Sequence, residues 1–315
     1  MGIPLVTGAA GFAGSHLVEH LLETEPVVAA WWNPGGHAPP ANDPRVRWRA
    51  VDLLDGPAVT AALADLRPSA VYHCAGFASV GGSWSRRTRV LQVNAVGTLH
   101  LLEAVRQAAP HTRVLVTGSA LVYRPSTSAL EEEAPLAPVG PYGLSKLAQE
   151  MLTLGATDLP TILTRPFNHA GPRQGSEYVT STFAGQIVQI ERGVQPPVMH
   201  VGNLDSRRDI TDVRDVVRAY RMLIAAGRTH RPYNVCSGTA HRVGDLLDAL
   251  IAMAHVRVTI ERDPARMRPS DNPVVLGDRT RVLDEVGWAP RIPIEQTLRD
   301  LLDDCRRDSD PPGRG

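Results

Sequence analysis

A tyrosine and a lysine four positions apart, Tyr142 and Lys146, are the side chains of this sequence whose spacing best suits chemistry. Side chains at positions i and i+4 share one face of a helix, so a phenol and an ammonium group can reach the same site. A nearby cation stabilises phenolate and lowers the pKa of a tyrosine from about 10, which predicts that Tyr142 transfers protons near neutral pH. The same spacing also fits an exposed amphipathic face, so the interpretation depends on the elements that position the pair.

The first of these elements is an N-terminal run of glycines that is typical of a nucleotide-binding turn. A strand predicted over residues 2–7 leads into Gly8, Gly11 and Gly14, and a helical pattern follows over residues 15–23. This spacing permits a tight turn whose backbone N–H groups approach a pyrophosphate, beside the partial positive charge of a helix N-terminus. A glycine-rich helix entry without a ligand is the alternative interpretation.

The end of the second predicted strand, residues 26–32, bears on the choice of cofactor. In many NAD-preferring proteins an acidic residue at this point binds the ribose hydroxyls, but here the strand is followed by Asn33. Since the position holds neither a carboxylate nor an arginine for a 2′-phosphate, the sequence leaves NAD and NADP as alternatives. Asp52 and Leu53 follow the third strand and are predicted to contact the adenine, although Asp52 also suits a turn cap.

Strand and helix patterns alternate through the first half of the chain. Further strands are predicted at residues 46–51, 70–74, 113–117 and 161–164, and a long helix at residues 85–108. Such alternation indicates an α/β fold with a parallel, doubly wound sheet. We therefore expect a dinucleotide-binding Rossmann domain over residues 1–165, a return of residues 210–236 to it, and a smaller α/β substrate-binding domain over residues 166–315.

The bulk composition excludes several classes of function. The 315 residues include 33 basic and 33 acidic ones, so there is no basic field for nucleic acid and no polybasic segment for a membrane. No apolar run approaches the roughly 20 residues of a membrane span, and the N-terminus lacks the pattern of a signal peptide. Cys74, Cys236 and Cys305 are far apart and lack metal-ligand spacing, which predicts a cytoplasmic protein without a metal.

Several runs of sequence resemble the extended short-chain dehydrogenase/reductases over nearly the whole chain. The first are residues 7–14, residues 71–76, residues 94–98, Ser119 with Tyr123, and residues 141–146. Later runs at residues 165–172, 201–215, 233–238 and 268–271 are similar to the nucleotide-sugar members. Together they look most like the GDP-6-deoxy-4-keto-mannose reductases, relatives of the GDP-mannose 4,6-dehydratases.

The resemblance implies a reaction and a set of site residues. Reduced NADP or NAD would give hydride to the C4 ketone of a GDP-linked sugar, with Tyr142 as proton donor, Lys146 on the nicotinamide ribose and Ser119 on the carbonyl oxygen. The predicted cofactor-binding residues are Gly8, Gly11, Phe12, Ala13, Gly14, Asn33, Asp52, Leu53, Cys74, Ala75, Gly76, Asn94, Tyr142, Lys146 and Pro166. The predicted substrate-binding residues are Ser79, Ser83, Ser119, Asn168, Arg173, Arg208, Arg268 and Asp271.

The residues after Ser119 favour reduction over dehydration. A 4,6-dehydratase needs an additional acid and base there, and the side chains of Ala120 and Leu121 transfer no proton. A UDP-sugar 4-epimerase would use the same serine, tyrosine and lysine and is the main alternative, whereas a nucleotide sensor would not need both Tyr142 and Lys146. The resemblance also implies a homodimer formed through the helices around residues 90–105 and Tyr142.

Overall fold

The computed structural model describes residues 2–36, 39, 43–267 and 272–308. Its strands are β1 (Leu5–Thr7), β2 (Val28–Trp32), β3 (Val46–Ala50), β4 (Ala70–His73), β5 (Arg113–Thr117), β6 (Thr161–Pro166), β7 (Asn168–Ala170), β8 (Val198–Val201), β9 (Arg207–Asp212), β10 (Pro232–Val235), β11 (Ala240–Arg242), β12 (Thr259–Arg262) and β13 (Val274–Val275). Its helices are α1 (Phe12–Leu22), α2 (Gly56–Leu66), α3 (Arg87–Leu91), α4 (Gly97–Ala108), α5 (Gly140–Gly155), α6 (Val179–Glu191), α7 (Val213–Ala226), α8 (Val243–Ala252), α9 (Thr280–Val286) and α10 (Ile294–Asp308). None of these helices is both long enough and apolar enough to cross a membrane.

The largest sheet has seven parallel strands in the order β10-β6-β5-β4-β1-β2-β3. Strands β1 and β4 are buried along their whole length, as expected for parallel strands with helices on both faces. The doubly wound α/β fold predicted from the sequence is therefore confirmed. The strand order changes direction between β1 and β4, and a crevice for ligands forms outside the carboxyl ends of strands at such a point.

Two apolar layers hold the helices against this sheet. Neighbouring residues of a strand point to opposite faces, so Leu5 joins the core beneath α2, α4 and α5, whereas Val6 joins the core beneath α1 and α7. Tyr72 and Trp288 also pack in the α1–α7 layer. Burial of both layers fixes the sheet from two sides, so the carboxyl ends of the strands are held in constant relative positions.

A second region of structure lies beyond the end of β6. Strand β9 pairs with β11 in the antiparallel sense and with β7 and β13 in the parallel sense, and β8 pairs with β12. Helices α6, α8 and α10 share an apolar core with these strands. Because β7 begins two residues after β6 ends, residues 166–170 lie where the two regions meet.

The long helix predicted over residues 85–108 differs from the observed one. Here α3 and α4 are joined by a π-helical turn, Gln92–Val96, which apolar periodicity does not indicate. The turn carries Asn94, whose amide binds the backbone N–H and C=O of Phe77 at 2.7 and 3.2 Å and the Ser145 hydroxyl at 2.9 Å. Insertions of this kind commonly mark functional sites.

Candidate active site

A cleft of about 520 Å³ opens at the carboxyl ends of β1, β4 and β5, next to the second region. This volume is within the range of ligand pockets, which is roughly 300–1,000 Å³. Sixteen of the predicted site residues line the cleft: Gly8, Gly11, Phe12, Ala13, Gly14, Asn33, Asp52, Leu53, Cys74, Ala75, Gly76, Ser119, Tyr142, Lys146, Pro166 and Asn168. Residues that are far apart in the sequence therefore share one concave surface.

The glycine turn forms one wall of the cleft and has the shape that a dinucleotide requires. Gly8 has a φ of +67°, and a Cβ atom there would lie 2.6 Å from the backbone of Ala75, so only glycine fits. Helix α1 begins at Phe12 without a side-chain cap, which leaves the N–H groups of its first turn for a ligand. This wall therefore fits the pyrophosphate of a dinucleotide.

The residues predicted at the ribose and near the adenine, Asn33 and Asp52, line the cleft and also fix turns. The side chain of Asn33 accepts a hydrogen bond from the Gly35 N–H at 2.9 Å, and that of Asp52 accepts one from the Leu54 N–H at 3.0 Å. Both interpretations of Asp52 made from the sequence are thus compatible with its position.

Ser119 and Tyr142 are brought together by the close approach of α5 to the end of β5. The Ser119 hydroxyl accepts a hydrogen bond from the Leu121 N–H at 3.1 Å, which starts a single helical turn. A Cβ atom at Gly143 would lie 2.6 Å from the Leu121 carbonyl oxygen, so glycine permits this approach. The Ser119 hydroxyl then interacts with the Tyr142 phenol.

Lys146 lies one helical turn further along α5 and is 5% exposed. Its Nζ donates hydrogen bonds to the Thr117 carbonyl oxygen and to the Gln149 Oε1, both at 2.9 Å. An ammonium group has three donors, so one remains for a partner in the cleft. Burial lowers the pKa of Lys146 to about 8.

The protonation of Tyr142 differs from the prediction. Burial raises the pKa of its phenol to about 12, and the hydrogen bond with Ser119 opposes this only in part. The prediction that a nearby cation lowers this pKa is wrong for this arrangement, because burial has the largest effect on the phenol and Lys146 directs its hydrogen bonds to Thr117 and Gln149. Tyr142 is therefore a neutral phenol at physiological pH, which suits a proton donor.

Three predicted ligands lie behind the cleft wall and support it. Asn94 is fully buried and braces the segment after Gly76. The Ser79 hydroxyl accepts a hydrogen bond from the Gly82 N–H at 3.1 Å, and the buried Ser83 hydroxyl donates one to the Val80 carbonyl at 2.6 Å. The two serines shape the loop whose residues Ala78 and Val80 do line the cleft.

The predicted arginine ligands have different surroundings. Neither Arg173 nor Arg208 belongs to the cleft lining. The guanidinium of Arg173 binds Glu19 and His16 of α1, which does not support substrate binding by Arg173. Arg208 donates to the backbone carbonyls of Arg207 and Pro273, and among the described residues no carboxylate pairs with it. Burial lowers the pKa of Arg208. The predictions for Arg268 and Asp271 fall outside the described residues.

Sequence reasoning missed several polar residues of the cleft, among them Gln174 and Tyr178. These two line its wall on the side of the second region. The Gln174 side chain donates to the His169 carbonyl at 2.7 Å and accepts from Ser181 at 2.9 Å. Both lie in the loop between β7 and α6, which has no periodicity, so only their polar type next to a predicted site could have indicated them.

A buried ion pair ties α5 to β6 directly beneath the cleft. The guanidinium of Arg165 binds both carboxylate oxygens of Glu150, with Nε to Oε2 at 3.0 Å, and the two side chains are 3% and 2% exposed. Arg165 also donates to the Tyr123 hydroxyl at 2.8 Å and to the Glu132 carbonyl at 2.7 Å. The Tyr123 hydroxyl in turn donates to the Asn234 side chain at 2.7 Å.

Comparison with known protein families gives one match to most of the chain. Residues 5–301 match the family described as GDP-mannose 4,6 dehydratase. The chain is 37% identical over 305 residues to the GDP-6-deoxy-D-mannose reductase of Pseudomonas aeruginosa, covering 95% of each sequence.

Two solved structures are similar over nearly their whole length. One is RMD from Pseudomonas aeruginosa complexed with NADPH, with a TM-score of 0.85, 34% identity, and coverage of 98% of this chain and 100% of that one. The other is the UDP-glucose 4-epimerase of Thermotoga maritima with UDP-glucose, with a TM-score of 0.87, 25% identity, and coverage of 98% and 99%.

Proposed function

The chain belongs to the GDP-mannose 4,6-dehydratase family, and within this family we propose that it is an oxidoreductase that reduces a GDP-linked 4-keto-6-deoxy sugar at C4, forming GDP-rhamnose from GDP-4-keto-6-deoxymannose. The similarity to a GDP-6-deoxy-D-mannose reductase supports the substrate, and structures with NADPH or NAD among its relatives support a nicotinamide cofactor. The observation that carries the proposal is the assembly of Ser119, Tyr142 and Lys146 in one cleft. The neighbouring side chains of Ala120 and Leu121 have no ionisable group.

Each of the three side chains has a proposed role. The bound nicotinamide supplies the hydride. Tyr142 donates the proton to the oxygen at C4, a role supported by the raised pKa that keeps its phenol protonated. Ser119 donates a hydrogen bond to the same oxygen, and Lys146 directs its third N–H to the nicotinamide ribose.

The surroundings of Ser119 support reduction rather than dehydration. Ala120 and Leu121 line the cleft directly after the serine and have no proton to give or accept. Loss of water from a sugar needs both an acid and a base beyond the tyrosine. An apolar wall at this point suits a sugar that already lacks its 6-hydroxyl group.

An absorbance assay tests the proposal. Purified protein is mixed with GDP-4-keto-6-deoxymannose and NADPH, or NADH in a parallel run. We expect one reduced cofactor to be consumed per sugar converted. Conversion of UDP-glucose to UDP-galactose without net consumption of cofactor would instead identify an epimerase and would contradict the proposal.

The unpaired guanidinium of Arg208 leads to a prediction about substrate binding. Guanidinium groups bind phosphate oxygens through parallel hydrogen bonds, and Arg208 has no acidic partner among the described residues. We expect Arg208→Ala to raise the KM for the nucleotide sugar about 10- to 100-fold, the loss of one or two charged hydrogen bonds. Arg173→Ala, which removes an arginine held by Glu19, is the matched control and should leave this KM within about threefold.

Fluorescence titration of NADPH completes this test. The proposed role of Arg208 requires the Kd for NADPH to stay unchanged in Arg208→Ala. An equal loss of affinity for NADPH and for the sugar nucleotide would show general damage to the protein, and the role would be withdrawn.

The organisation of the chain is also part of the proposal. We propose a Rossmann domain formed by residues 1–165 with residues 210–236, and a substrate-binding domain formed mainly by the remainder, in a cytoplasmic homodimer. Pairing of β10 with β6 in the large sheet supports the return of residues 210–236 to the Rossmann domain. Exposed apolar side chains on α3, α4 and α5, such as Leu91, Leu144 and Met151, support a dimer through these helices. A monomeric mass by light scattering would contradict it.

A further inference from the structure

A row of buried polar side chains runs from Lys146 to the glycine turn, and the proposed reaction assigns none of them a role. Gln149 contacts Lys146 at 2.9 Å and Thr98 at 2.8 Å, and Thr98 contacts His73 at 2.9 Å. His73 then contacts Thr7, the residue before the first glycine, at 2.7 Å. We call these four side chains, each at most 1% exposed, the lysine–turn network.

Counting donors and acceptors fixes the direction of every hydrogen bond in the network. The single proton of the Thr98 hydroxyl is donated to the Asn94 carbonyl at 2.7 Å, so Thr98 can only accept from its other partners. Gln149 must therefore turn its NH₂ group to Thr98, which leaves its carbonyl oxygen facing the ammonium of Lys146. The opposite orientation of the amide would place two donors face to face.

The same count assigns the tautomer of His73. Its Nε2 donates to Thr98, so its Nδ1 is unprotonated and accepts from the Thr7 hydroxyl. Thr7 keeps its lone pairs for the Ala75 N–H, at 3.3 Å. Burial lowers the pKa of His73 to about 3, so the histidine stays neutral at physiological pH.

We propose that Gln149 is a positioning residue for Lys146, held in its one useful orientation by Thr98 and neutral His73. Two donors of the ammonium are fixed inward, on Thr117 and Gln149, and the third is thereby aimed into the cleft. The inference rests on the proposed role of Lys146 in binding the cofactor ribose. The network ends at Thr7, the residue before Gly8, so both of its ends would lie beside the same bound dinucleotide.

The charge of Lys146 provides a readout for this role. The other titratable groups of the described chain that face it are Tyr142, His73 and Cys74. Burial raises the pKa of Tyr142 and of Cys74 to about 12 and lowers that of His73 to about 3. Only Lys146 therefore titrates near pH 8, so NADPH affinity should fall as the pH rises through its pKa and the ammonium loses its charge.

The test is a titration of NADPH binding by fluorescence from pH 7 to pH 10 with purified variants. Gln149→Leu removes an acceptor from the cation, so the midpoint of the affinity loss should move down by about one pH unit, equivalent to tenfold in protonation. Gln149→Glu places a carboxylate beside the cation, so the midpoint should move up. General loosening of the fold cannot produce shifts of opposite sign.

Two threonines of the chain form a matched pair of controls. Thr98 and Thr153 are both fully buried, and each donates to the backbone carbonyl four residues earlier, Thr98 to that of Asn94 at 2.7 Å and Thr153 to that of Gln149 at 2.8 Å. Only Thr98 accepts from Gln149 and His73. We expect Thr98→Val to lower the midpoint as Gln149→Leu does, whereas Thr153→Val should keep the midpoint of the unaltered protein.

The outcomes separate the network from the role of its lysine. If Lys146→Met weakens NADPH binding while the Gln149 and Thr98 variants bind with an unchanged midpoint, the positioning role is wrong and the proposed role of Lys146 stands. If Lys146→Met leaves NADPH affinity unchanged, the role of Lys146 fails and the positioning role fails with it. A midpoint that moves in Thr153→Val as far as in Thr98→Val would also overturn the inference.

Discussion

Replacing Tyr142 by phenylalanine is expected to reduce turnover by about 10²- to 10⁴-fold, the usual contribution of a positioned proton donor. The phenol is held against Ser119 in the cleft, and burial raises its pKa to about 12, so it enters the reaction with its proton. Phenylalanine keeps the ring and removes the hydroxyl group that carries that proton. Since Lys146 is bound by Thr117 and Gln149, the Kd for NADPH should change less than threefold.

Tyr72→Phe is the control for this variant. Tyr72 is also buried, in the apolar layer between the sheet and helices α1 and α7, and it is outside the cleft lining. Its loss of a hydroxyl group should leave kcat unchanged. Single-turnover oxidation of NADPH measures both variants, and a Tyr142→Phe protein that turns over within a few fold of the unaltered one would rule out Tyr142 as the acid.

The buried ion pair of Arg165 and Glu150 carries the second large prediction. Arg165→Met leaves the Glu150 carboxylate buried without its cation and removes the donors to Tyr123 and Glu132. Breaking such a pair costs about 3–5 kcal/mol in the free energy of unfolding. Thermal unfolding followed by circular dichroism should show a large drop in the midpoint temperature.

The double variant Arg165→Met with Glu150→Leu tests the cause of this loss. Removing both charges is expected to restore part of the stability, because the cost comes mainly from the unpaired charge. Asp158→Ala breaks the exposed pair between Asp158 and Arg106 and should leave the midpoint unchanged. A single variant no less stable than the double variant would contradict this account of Arg165.

The large sheet could be predicted from the sequence because its signals lie within short stretches of the chain. A parallel strand buried on both faces is a short apolar run, and the glycine turn has a fixed spacing, so β1, β4 and β5 were found within a few residues. The π-helical turn at Gln92–Val96 was missed because it depends on a partner, the backbone of Phe77, that is distant in the sequence.

The sequence predicted which residues form the candidate site better than it predicted their protonation states and ionic partners. The glycines, Ser119, Tyr142 and Lys146 do converge on one cleft. The prediction of a lowered pKa for Tyr142 was wrong, because the spacing of two residues does not reveal burial or the acceptors that bind Lys146. Arg173 was grouped with the ligands by its type alone, and only the fold brings Glu19 next to it.

The late position of β10 in the chain has a consequence for synthesis on the ribosome. At elongation rates of about 5–20 residues per second, α7 and β10 follow residue 165 by roughly 2–14 s. During this interval the face of the sheet that α7 later covers, with Val6 and Tyr72, lacks its final covering. The nascent chain therefore exposes part of an apolar surface at least until translation passes Val235, and during this interval a chaperone would have a surface to protect.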